Sequence, residues 1–114
     1  MNTLAFIIDD SAVNIAVARL LLQRLGWTVE AFSSAIPMLE RLARVEPALM
    51  LLDISMRSTG GLEALSRLQA AGCRSKVLIL SMHTDPELIM CALEAGAHGY
   101  LLKDTTANEL EHAL

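Results

Sequence analysis

The chain is expected to fold as an α/β domain, a parallel β-sheet covered by helices on both faces. Five short apolar runs alternate with longer segments of helical spacing, the pattern of repeated βαβ units. Those runs are continuously apolar rather than alternating, as strands buried on both faces should be. A length of 114 residues, 54% of them hydrophobic, suits a single domain with one core.

The elements follow in order. "LAFII" reads as the first strand, and Val13 to Leu25 as a helix stopped by Gly26, a suitable C′ residue. "WTVEAF" is the second strand; Ser33 and Ser34 form a turn and helix cap before a helix from Ala35 to Val45. "ALMLL" is the third strand, Gly61 to Ala71 a helix stopped by Gly72, and "KVLIL" the fourth strand. Asp85 caps a helix with Pro86 at its first position, which ends before Gly96. "GYLL" is the fifth strand, and Thr106 with Glu109 makes a capping box for a last helix reaching the chain end. That helix is only about two turns long, so the domain, residues 1–114, is expected to be cut from a longer protein.

Composition narrows the function. Nine Lys+Arg against thirteen Asp+Glu give a net charge of −4 with no basic cluster, which argues against direct nucleic-acid binding. No apolar run approaches the roughly 18–20 residues of a membrane span, and no signal peptide is seen. Cys73 and Cys91 match no metal or redox spacing and read as small packed residues, in keeping with a reducing cytoplasm.

The chemistry lies at the carboxyl ends of the strands, where ligands of open α/β sheets bind. The first strand ends in Asp9 and Asp10, the third in Asp53, the fourth in Ser81 and the fifth in Lys103. Each alone is unremarkable: an aspartate pair can be a loop and cap, a serine a cap, a lysine a solvated surface group. Their occurrence at one end of different strands is the informative feature. If the first and third strands are neighbours, about 4.8 Å apart, the three carboxylates converge. They then repel by roughly 1–4 kcal/mol per pair, and a hard divalent cation removes the conflict. Asp53 is placed as a nucleophile able to carry phosphate. Lys103 and Ser81 could serve its oxygens.

"IIDD", "LLDISM…GGLEAL", "LILS" and "GYLLKD" together resemble the receiver domain of two-component response regulators, a CheY-like domain, over essentially the whole chain. The resemblance implies a flavodoxin-like sheet of five parallel strands in the order 2-1-3-4-5, flanked by five helices. It implies that Asp53 accepts phosphate from a histidine kinase or phosphotransfer protein. Mg²⁺ (or Mn²⁺) would be held by Asp10, Asp53 and the Ser55 carbonyl, with Asp9 acting through water. Ser81 and Lys103 would contact the phosphoryl group, and Tyr100 would turn as Ser81 moves. That switch would bias the surface of the fourth helix, fifth strand and last helix, through which a homodimer could form. Such a domain promotes its own phosphorylation and dephosphorylation without being a turnover enzyme. Ser55, Met82 and His83 would tune dephosphorylation, predicted to be slow to moderate. His98 and His112 read as surface residues, and His83 lacks partners for zinc.

Within the family, the C-terminal third is similar to NarL/FixJ-type receivers, usually followed by a DNA-binding domain that controls transcription. The earlier "DDSAVNIAVARLLLQRLGWTVEAFSSA" is more similar to receivers of hybrid sensor kinases. In the first helix, Val17, Ala18, Leu21 and Leu25 are expected as the core stripe, with Ile15, Ala16 and Leu20 outside it. By resemblance, Ser11, Asn14, Ile15 and Ala18 would dock the helical bundle bearing the phosphohistidine. Arg57 stands where the family usually has proline. Of the other classes, a metal-dependent phosphatase would want an acid where Ser55 stands. A flavodoxin-like cofactor binder would want a glycine-rich loop where Asp9 and Asp10 stand. A receiver working without phosphate would not need the acceptor set.

Overall fold

The computed structural model describes residues 2–53, 61–81 and 86–102. Nine elements alternate: β1 (Leu4–Ile8), α1 (Ala12–Arg24), β2 (Thr28–Phe32), α2 (Ala35–Leu42), β3 (Leu49–Asp53), α3 (Gly61–Ala70), β4 (Lys76–Ser81), α4 (Pro86–Glu94) and β5 (Gly99–Leu102). All strand pairs are parallel, in the order β2-β1-β3-β4-β5. The expected fold class and strand order are therefore observed. The capping box at Thr106 and Glu109, and the last helix it was expected to start, lie outside the described residues.

Strand alternation divides the core into two layers. Phe6, Ile8, Met50, Leu52, Val77 and Ile79 pack with Ala35 and Met38 of α2, Leu65 and Leu68 of α3 and Ala92 of α4. On the other face Ala5, Ile7, Leu49, Leu51, Leu78 and Leu80 pack with Ala18 and Leu22 of α1. The Phe6 and Phe32 rings meet edge to face, 5.0 Å apart, and tie β1 to β2 under the first layer.

Three boundaries have visible causes. α1 runs into Gly26, whose φ of +94° only glycine adopts freely. α2 ends at Leu42 rather than Val45, because the Arg44 N–H turns back to the Arg41 carbonyl (3.0 Å) and tightens the last turn. Pro37 is tolerated in the first turn of α2, where no intrahelical partner for its nitrogen is needed. Ser34 is the N-cap residue of that helix, but its side chain makes no capping bond. Glu30 accepts two hydrogen bonds from Arg41 (2.8 and 3.2 Å), joining β2 to α2 and raising the guanidinium pKa.

Two packing expectations are corrected. α1 turns Ala18 and Leu22 into the core with Ile15 and Leu21 against them, whereas Val17 and Leu25 are exposed. The helix is apolar on nearly every side, so its spacing did not select the buried stripe. Cys73 packs half-buried against the first layer, but Cys91 is exposed on α4.

Candidate functional site

The carboxyl ends of β1 and β3 lie side by side because Ile8 pairs with Leu52. Asp53 closes β3 opposite Leu80 of β4, and Asp9 follows β1 directly, its N–H donating to the Phe32 carbonyl of β2 (3.0 Å). Asp53 shares the alternation of Leu49 and Leu51, the residues of its strand that pack with α1. Carboxylate oxygens of Asp9, Asp10 and Asp53 all lie within 4.8 Å of one another. Asp9 and Asp53 are each only 1% exposed, while Asp10 faces solvent.

Three carboxylates at that spacing repel by about 1–3.5 kcal/mol per pair across the range from bulk water to a protein surface. Each is a hard oxygen donor, and two are withdrawn from water. The set matches what Mg²⁺ or Mn²⁺ takes from a protein: a few carboxylate oxygens, with an open side for waters or phosphoryl oxygens. One Asp9 oxygen is already engaged, accepting the Ser11 N–H at 2.9 Å.

Ser11 is the N-cap of α1, and its hydroxyl accepts the Asn14 N–H at 3.3 Å. The sequence reading missed this role, although a serine directly before an apolar helical run is a recognisable cap signal. Of the expected docking residues, Ser11, Asn14 and Ile15 are partly exposed at the start of α1. Ala18 is 4% exposed and packs into the core, so it cannot belong to an exposed face. The apolar residues that α1 does present are Val13, Val17 and Leu20, 72%, 52% and 59% exposed.

Ser81 ends β4 one residue beyond the partner of Asp53, which puts its backbone at the same edge. Tyr100 pairs with Ile79 in β5 and is half-buried against the first core layer. Ser55, Arg57, Met82, His83, Lys103 and His112 lie outside the described residues, as does the side chain of Ser81. His98 is exposed as expected, yet its imidazole Nδ1 accepts the Val77 N–H (3.0 Å) while its backbone N–H donates to the Val77 carbonyl (2.8 Å). It thereby extends the β4–β5 ladder by one residue.

Comparison with known proteins agrees with this architecture. The chain is 40% identical over 76 residues to the transcriptional regulatory protein YvfU of Bacillus subtilis, covering 67% of this chain and 38% of that protein. It is 37% identical over 70 residues to the nitrate/nitrite response regulator protein NarL of Escherichia coli, covering 61% and 32%. The chain thus matches about a third of either relative's length. Among solved structures, a response regulator from Burkholderia pseudomallei, with a phosphorylated aspartic acid, calcium ion and citrate, superposes with a TM-score of 0.90. That match covers 99% of this chain and 66% of the other at 20% identity, a likeness of fold. The family model of the response regulator receiver domain matches residues 5–114, and with the observed fold this shows that the chain belongs to that family.

Proposed function

We propose that Asp53 is the phosphoacceptor of a two-component signalling domain, and that Asp9, Asp10 and Asp53 with the Ser55 carbonyl hold Mg²⁺ or Mn²⁺. The observation that carries this reading is the convergence of the three carboxylates within 4.8 Å, two of them buried. An Asp53 oxygen forms a bond to phosphorus while the P–N bond of a phosphohistidine breaks, and the departing imidazole nitrogen keeps the electron pair and takes up a proton. A divalent cation held by these residues would offset the negative charge that the carboxylates and the incoming phosphoryl group bring together. Lys103 and Ser81 are assigned to those oxygens as a cation and a hydroxyl donor, and Ser55, Met82 and His83 to controlling how water reaches the acyl phosphate. A domain built this way promotes its own phosphorylation and dephosphorylation and turns over no external substrate.

The donor is a histidine kinase or histidine phosphotransfer protein. Its helical bundle docks on the start of α1, at Ser11, Asn14 and Ile15, with Val13, Val17 and Leu20 as the apolar part. Movement of Ser81 towards the phosphoryl group and rotation of Tyr100 carry the signal to the surface of α4, β5 and the last expected helix, where a second copy can pair. The domain belongs to a longer cytoplasmic protein. NarL/FixJ-type control of transcription is the favoured output, supported by the likeness to YvfU and NarL. A receiver of a hybrid sensor kinase is the second reading, supported by the N-terminal sequence. Among the described residues no helix is long and apolar enough to cross a membrane.

The test is labelling by acetyl phosphate with Mg²⁺. The wild-type chain should take up one phosphoryl group when Mg²⁺ is present and none when a chelator is present from the start, and Asp53→Asn should take up none. Full labelling of Asp53→Asn would sink the assignment.

A further inference from the structure

Ser11 joins the acid cluster to helix α1. Its N–H donates to Asp9 Oδ1 (2.9 Å), its hydroxyl accepts the Asn14 N–H (3.3 Å), and its carbonyl accepts the Ile15 N–H (3.0 Å). The extended backbone of this residue, φ −97° and ψ 117°, aims the N–H back at Asp9 while the hydroxyl serves the helix. Asp9 is held from the other side as well, through its own N–H to the Phe32 carbonyl. One oxygen of a buried acid is therefore committed to a backbone amide whose direction is set by a helix cap.

We infer that Ser11 is a positioning residue for the divalent metal: its cap holds the Asp9 carboxylate in place, so metal affinity depends on the cap. The inference rests on the reading of the acid cluster as a metal site. A carboxylate already oriented loses less freedom when a cation arrives than one free to rotate. Partners that orient ligand groups in this way are worth a measurable share of metal affinity. Linkage makes the effect reciprocal: a cap that strengthens metal binding is strengthened by the metal in equal measure. The exposed apolar stripe of α1 begins at Val13, two residues further on, so metal occupancy also orders the first turn of the surface proposed for docking.

The experiment is a Mg²⁺ titration of the whole chain followed by backbone amide resonances, with amide exchange at Asn14 as a second readout. Ser11→Ala should bind Mg²⁺ roughly 3- to 10-fold more weakly than wild type, and Ser11→Thr, which keeps the hydroxyl, within about twofold. Leu22→Val, in the core of the same helix, should lower stability but leave Mg²⁺ affinity unchanged. Saturating Mg²⁺ should slow Asn14 exchange in wild type and not in Ser11→Ala. If Ser11→Ala does not fold, Ser11→Gly, which lacks the hydroxyl but is better tolerated at a helix N-cap, takes its place. Wild-type affinity in the hydroxyl-deleted variant, or an equal loss in Leu22→Val, overturns the role of Ser11. A wild-type chain that does not bind Mg²⁺ overturns the metal reading beneath it.

Discussion

On one face of the sheet, Phe6, Ile8, Met50, Leu52, Val77 and Ile79 meet three helices, α2, α3 and α4. On the other, Ala5, Ile7, Leu49, Leu51, Leu78 and Leu80 meet α1, the one helix in that core layer among the described residues. The same strands supply both layers through alternation, yet the faces differ in purpose. Asp53 follows Leu49 and Leu51 along its strand, so the acid site belongs with the α1 side. The helix beside it buries Ala18 and Leu22 while leaving Val13, Val17 and Leu20 exposed. One face is committed to packing; the other combines a charged cluster with exposed apolar side chains on α1.

The largest test of that contrast is Phe6→Ala. Phe6 is fully buried in the three-helix layer and stacks edge to face on Phe32. Its truncation should cost about 3–5 kcal/mol in urea unfolding. A loss below about 1 kcal/mol would mean that this layer is not the close-packed half of the molecule.

A smaller effect is expected at Gly96, after α4. Its φ is +110°, and an added Cβ would stand 1.5 Å from Gln69 Oε1 of α3. Gly96→Ala should cost about 1–3 kcal/mol. Gln69→Ala in the same chain should recover the part due to crowding and leave the part due to the backbone. A double-mutant cycle by thermal unfolding separates the two. No recovery would show that the Gln69 side chain swings aside at no cost and that the loss belongs to the backbone alone.

The smallest effect belongs to Val17→Asp on the exposed side of α1. At 52% exposure the substitution should change stability by no more than about 0.5 kcal/mol. It should leave acetyl phosphate labelling intact and slow transfer from a phosphohistidine donor. A large loss of stability would show that this side of α1 is already covered, and the contrast between the faces would go with it.

Much of the molecule was legible before any coordinates. The boundaries of β1 and β5 coincide with "LAFII" and "GYLL", because parallel strands buried on both faces must be short apolar runs between turn residues. Gly26, Gly72 and Gly96 all adopt positive φ after helices, as C′ residues should. Asp9, Asp10 and Asp53 were readable as a set because ligands of such sheets gather at the carboxyl ends of the strands.

Local pattern could not choose the rotation of α1. With apolar residues at Ile15, Ala16, Val17, Ala18, Leu20, Leu21 and Leu22, several stripes compete, and only packing against the sheet selects Ala18 and Leu22. Nor could spacing show that the Val77 amide finds the His98 imidazole, since that bond joins residues 21 apart. The sequence by itself determined the element types, the strand ends and the identity of the acids, because each depends on nearby residues. The tertiary structure decided which side of α1 is exposed and how closely the three carboxylates approach. Those outcomes depend on the pairing of β1 with β3 and on what the sheet leaves for a helix to cover.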